Sequence, residues 1–227
     1  MLGSNPKTVQ EIEDALSQPN CTIDELLKCS GIASQIRNDN HNLIEFLLDE
    51  KNTKRIFEII HTNSTRATQK SILGLFQTSN PVLHRTFADN LLITEYAVNM
   101  LDSPTTANSN YGVGIISRII SRAFDLWPDD MSEVFRISKT IYKTLIRHIH
   151  NTCVYHSIQD MITETHKGLW LFMWYCFRAL TPKDSKEYHL TKRAALIDDD
   201  FEIDPNELTD LHRENILNIL RLFFTLK

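Results

Sequence analysis

Glycine and proline are scarce in this chain of 227 residues, at 6 and 7 respectively. A sandwich or barrel needs a tight turn after nearly every short strand, so this scarcity points away from β architectures. Long apolar runs are missing too. The most hydrophobic window, Gly168 to Leu180, is too short to span a bilayer, is preceded by Lys167 and carries Arg178 near its end. The first residues show no basic segment leading into an apolar core, so the expectation is a protein with no secretory leader and no membrane role, working in the cytoplasm. Cys21, Cys29, Cys153 and Cys176 stand far apart without a Cys-x-x-Cys pair, which fits neither a zinc ribbon nor a thioredoxin motif and reads as reduced thiols. Without a leader, the triplets at Asn20 and Asn63 never meet the glycosylation machinery.

Positive charge is not concentrated anywhere. With 24 basic and 29 acidic residues the net charge is −5 and no Lys/Arg-rich block appears, so nucleic acid is not an expected partner. The Gly-x-Ser-x-Gly, His-Glu-x-x-His and kinase signatures are absent, and Tyr111-Gly-Val-Gly114 lacks what a P-loop or dinucleotide fingerprint requires. Asp198, Asp200, Glu202 and Asp204 alternate like a calcium loop, but Ile203 stands at the glycine position and Thr209 at the closing glutamate. His148, His150, Cys153 and His156 are zinc-ligand types within nine residues, yet Asn151-Thr152 reads as a helix boundary that divides them. No catalytic residue, metal or cofactor is expected, and the chain reads as a non-enzyme.

What the chain has in abundance is apolar residues at helical spacing, 42% hydrophobic in all. Leu43, Ile44, Leu47 and Leu48 fall on one helical face, and Ile56, Phe57, Ile59 and Ile60 on another after a polar break at Asp49 to Thr53. Glu45 lies off that stripe, and Phe46 is expected to pack into neighbouring helices. Thr8 with Glu11 is a candidate cap for a first helix, and Thr22-Ile-Asp-Glu25 reads as a capping box followed by Gly31. A helix is expected over Thr65 to Gln77, a loop over Ser103 to Asn110, and a helix from Pro128 to about His148. Trp170, Phe172, Trp174, Tyr175 and Phe177 read as core, Asp198 to Asp204 as an acidic connection, and Asp204-Pro-Asn-Glu207 as the start of the last helix. Helix pairs recur roughly every 40 residues, near the HEAT and armadillo spacing. The expected fold is all-α, a HEAT/armadillo-like superhelix forming one helical-repeat domain over residues 1–227.

Three phrases carry a family resemblance. Thr22, Glu25, Leu26 and Leu27, then Asn40, then Leu43-Ile-Glu-Phe-Leu47 resemble the opening of the SAPS-domain family, the regulatory subunits of protein phosphatase 6. Asn110 followed by Ile115-Ile-Ser-Arg-Ile-Ile120 resembles its asparagine-led helix, and His148-Ile149 with Thr152, Val154, Ile158 and Ile162 resembles its His-Ile helix boundary. The resemblance covers residues 22–164 and leaves 165–227 as additional helices. It implies a regulatory or scaffold subunit whose partner is a Ser/Thr protein phosphatase catalytic subunit, and it makes Asn40, Glu45, Arg118 and His148 the candidate partner-binding residues. The alternatives are a generic armadillo-like scaffold for another partner, and a helical enzyme or ligand-binding bundle built on the aromatic block and the histidine cluster.

Overall fold

The computed structural model describes residues 6–61, 91–102, 110–164, 169–182 and 205–225, with single positions between 65 and 85, at 185–187, at 189 and at 203. Every element among the described residues is helical and no strand occurs, as the apolar spacing predicts. No described helix is long and apolar enough to cross a membrane. The chain forms two compact units, residues 1–86 and 87–227.

Unit 1 opens with α1 (Pro6–Leu16), α2 (Ile23–Leu26), α3 (Ile32–Arg37), α4 (His41–Leu48) and α5 (Glu50–His61). The first helix starts at Pro6, a residue pre-set for a first helical turn, so Thr8 lies inside α1 instead of capping it. The Thr22 capping box forms as expected: the Thr22 Oγ accepts the Glu25 N–H at 3.3 Å, and a Glu25 carboxylate oxygen accepts the Thr22 N–H at 3.2 Å. Gly31 precedes α3 with φ +80°, a left-handed conformation that disfavours side chains, and an added Cβ would meet the Thr8 Cβ at 3.2 Å.

The break between α4 and α5 is Asp49 alone, not the five polar residues expected. Asp49 accepts the Lys51 and Asn52 N–H groups, so the polar residues that follow become the first turn of α5. Asn52 donates to the Phe46 carbonyl and Thr53 to the Leu47 carbonyl, both at 2.8 Å, which satisfies the end of α4 without a longer loop. Leu43, Ile44 and Leu47 of α4 and Ile56, Phe57, Ile59 and Ile60 of α5 are buried as their spacing predicts, whereas Phe46 is only half-buried. Of the helix expected over 65–77, Thr68, Ser71, Ile72, Gly74 and Leu75 are described and helical. Gly74 sits opposite Ala33, and Asn80 donates to the Ile36 carbonyl at 3.1 Å and to Asp39 at 2.9 Å. These partners advance together along the chain, so α3 and this later segment run in the same direction, 41 to 44 residues apart.

Unit 2 holds α6 (Leu91–Asn99), a 3-10 turn (Met100–Asp102), α7 (Asn110–Leu126), α8 (Pro128–Ile137), α9 (Lys139–Arg147), α10 (Thr152–Glu164), α11 (Trp170–Leu180), a 3-10 turn (Pro205–Glu207) and α12 (Asp210–Thr225). Pro128 begins α8 with Asp129 and Asp130 in the first turn, where the helix dipole favours them. The single helix expected from Pro128 to His148 is divided at Ser138, which is extended, buried and bonded to the Glu95 carboxylate of α6. The last helix starts later than expected: Pro205–Glu207 is only a 3-10 turn, and Thr209 precedes α12. Residues 103–109, 198–202 and 204, in the expected loop and acidic connection, lie outside the described residues.

Same-direction stacking recurs here. Gly114 leaves room for the Cys153 sulfur, which an added Cβ would meet at 3.5 Å, and Ser121 donates to Asp160 at 3.2 Å. Both pairs are 39 residues apart, so α7 and α10 lie parallel. Glu95 with Ser138, Asn99 with Thr144 and Asp102 with His148 align α6 and its 3-10 turn with α9 in the same way, at separations of 43 to 46 residues. An aromatic core joins α7, α8, α9 and α11. Phe124 meets Phe135 edge-on at 4.7 Å, Phe135 meets Tyr142, and Tyr142 stacks on Tyr175 at 5.2 Å beside Phe172. Of the block read as core, Phe172 and Tyr175 are buried, Trp174 and Phe177 are half-buried, and Trp170 is exposed.

Candidate functional site

Burying Leu43, Ile44 and Leu47 leaves Asn42, Glu45 and Phe46 on the other side of α4, at positions i, i+3 and i+4 of one strip. On α1 and the residue that follows it, Glu13, Leu16 and Ser17 repeat that spacing. The two strips line a cleft of about 510 Å³. Its apolar surface comes from Phe46 and Leu16, its charge from Glu13 and Glu45, and no cation is among its described lining residues.

The two carboxylates are held differently. Glu13 accepts from the Asn40 amide at 2.7 Å and from the Asn42 amide at 3.4 Å, which fixes it toward the cleft. Among the described residues Glu45 meets only His41 one turn earlier, at 3.2 Å, and both are largely exposed. Ser17 donates its hydroxyl to the Asp14 carbonyl at 2.8 Å, so that proton is committed to closing the end of α1. Such an arrangement is suited to recognising a cationic, aliphatic side chain: the carboxylates supply charge, and the ring and leucine supply a face for the stem.

The four candidate residues do not gather at one place. Glu45 lines the cleft. Asn40 is half-buried and works from behind it, capping α4 by accepting the Leu43 N–H at 3.1 Å while its amide positions Glu13. Arg118 is exposed on α7, bonded to no described residue. His148 is buried at the end of α9, with Nε2 2.8 Å from an Asp102 oxygen. Burial lowers its proton affinity from the usual 6.5, and the Asp102 hydrogen bond opposes that without cancelling it.

The helix boundary inferred at Asn151-Thr152 is present, since α10 begins at Thr152. His150, Cys153 and His156 are exposed, and His156 pairs with Gln159 at 2.9 Å. Among the described residues no group of three His, Cys, Asp or Glu side chains is arranged to hold a metal. Sequence reasoning missed Glu13 and Phe46 as cleft residues, because nothing local pairs α1 with α4. It also missed His212, although Thr209-x-x-His212 has the outline of a capping box with histidine at its fourth place.

Comparison with protein-family models, with curated proteins and with solved structures gives no match to this chain.

Proposed function

We propose that the chain is a non-catalytic protein-interaction scaffold of the HEAT/armadillo type, and that the α1/α4 cleft is where its partner docks. One observation carries the reading: strips of α1 and α4 that the core does not use meet as an open cleft with an aromatic face, two carboxylates and, among the described residues, no cation. A solenoid presents such surfaces because each helix needs only its inner stripe for stacking. Parallel stacking at separations of 39 to 46 residues in α7/α10 and α6/α9 supports the superhelical reading.

The resemblance supplies the partner, a Ser/Thr protein phosphatase catalytic subunit of the protein phosphatase 6 type, met in the cytoplasm without nucleic acid or membrane. In this reading the partner offers a lysine or arginine to Glu13 and Glu45. Arg118, exposed and unpaired among the described residues, is a second contact. The test is direct binding between the purified chain and a purified catalytic subunit, followed by interferometry. Saturable binding with Kd below about 10 µM is expected. Its absence would remove the phosphatase from the proposal.

A further inference from the structure

The last helix of unit 2 is capped by a histidine where a carboxylate is usual. Thr209 Oγ lies 3.4 Å from the His212 N–H, which it accepts. In return His212 Nδ1 accepts the Thr209 backbone N–H at 3.2 Å and the Thr209 hydroxyl at 2.7 Å. This is the reciprocal geometry of a capping box, whose fourth residue is ordinarily Glu or Gln. The other ring nitrogen, Nε2, donates to the Arg147 carbonyl at 2.9 Å. A carbonyl only accepts, so Nε2 carries the hydrogen and Nδ1 is bare, and the neutral ring is fully used. Three residues on, the Asn215 amide donates to the Ile149 carbonyl at 2.8 Å, a second tie to the same turn.

A proton on Nδ1 would break the bond from the Thr209 backbone N–H and reverse the one to its hydroxyl. The backbone N–H of Thr209 would face another donor, and positive charge would sit at the end of α12 where the helix dipole opposes it. The His150 ring lies 4.3 Å from that of His212, and the His148 ring 6.2 Å beyond His150. We propose that His212 makes the docking of α12 onto the α9–α10 turn dependent on pH. With the ring neutral, α12 is capped and tied to the Arg147 and Ile149 carbonyls; with the ring protonated, the cap opens and α12 loosens from α9, α10 and α11.

Among the described residues no counter-ion is in place to relieve that charge. From α9 and its turn come Arg147, His148 and His150, and Asp102 is already engaged by Arg147 and His148. The start of α10 brings Cys153 and His156, and α11 brings the buried Arg178. Asp210 on α12 and Glu207 before it make no hydrogen bond to the ring. Burial lowers the proton affinity of His212 below 6.5; the Arg147 carbonyl works to raise it, and charge on His150 and His148 lowers it further. The docked ring therefore binds its proton more weakly than a released one, so docking is strongest above about pH 6.5 and weakens as pH falls below it.

The test is hydrogen exchange of the whole chain by mass spectrometry at pH 7.5 and 5.5, corrected for intrinsic exchange rates. Peptides from α12 should lose protection at the lower pH, because the docked ring binds its proton more weakly than a released one, while peptides from α7 keep theirs. His212→Gln, which retains an acceptor for Thr209 and a donor for Arg147 but cannot take a proton, should remove the difference. His150→Gln, at an exposed position, should leave the fold intact and make the response shallower. Equal protection of α12 at both pH values would overturn the proposal even if His212→Gln failed to fold. So would an undiminished response in a folded His212→Gln.

Discussion

Two phenylalanines in the α4/α5 pair carry the same side chain into different surroundings, and removing each should cost different amounts. Phe57 is fully buried, at 0% exposure, in the stripe with Ile56, Ile59 and Ile60. Phe57→Ala loses the transfer energy of a whole ring and leaves a closed cavity, about 3 to 5 kcal/mol. Phe46 is half-buried with one side on the open cleft. Its removal loses roughly half of that transfer and seals no void, about 1 to 1.5 kcal/mol. The two variants should thus differ by about 1.5 kcal/mol or more, roughly a tenfold difference in unfolding equilibrium at the least. Urea denaturation followed by far-UV circular dichroism measures it. The three tryptophans, Trp127, Trp170 and Trp174, all belong to unit 2, so fluorescence gives a separate record there that neither change should shift directly. Equal losses for the two variants, or a larger loss for Phe46→Ala, would refute the assignment of Phe57 to the core and Phe46 to the cleft.

The Tyr142 hydroxyl is buried with no hydrogen-bond partner among the described residues, and burial raises its proton affinity. Tyr142→Phe removes the unsatisfied group and should stabilise unit 2 by about 1 kcal/mol; a loss of that size in thermal unfolding would contradict the packing described. Gly31→Ala should destabilise unit 1 by about 1 to 2 kcal/mol, because it forces a side chain into the left-handed region and against Thr8. Urea denaturation that places the variant level with the parent would contradict this.

The apolar stripes of α4, α5 and α7 were legible because burial demands their spacing, and Thr22 and Pro128 were legible because their caps are local. The boundaries that escaped prediction depend on side chains reaching elsewhere. Asn52 and Thr53 fold back on the carbonyls of α4 and replace a loop that composition suggested. Ser138 ends α8 in contact with Glu95, 43 residues earlier, and no local pattern announces that. Asp204-Pro-Asn-Glu207 carries the letters of a helix start, yet α12 begins after Thr209, where a histidine does the work that the pattern assigns to glutamate. The candidate residues divide the same way. Glu45 was legible as a residue off the stripe, while His148 is buried because Asp102, 46 residues upstream, partners it.

The central claim, that the α1/α4 cleft receives a partner, is tested most directly by reversing its charge. Glu45→Lys gives up one exposed pair with His41, worth only about 0.3 to 0.5 kcal/mol, so the melting temperature should hardly move. Interferometry against the purified phosphatase catalytic subunit should show affinity weakened at least tenfold. Unchanged affinity for a subunit that the parent chain binds would contradict the account, as would a fall in melting temperature large enough to explain lost binding by lost fold.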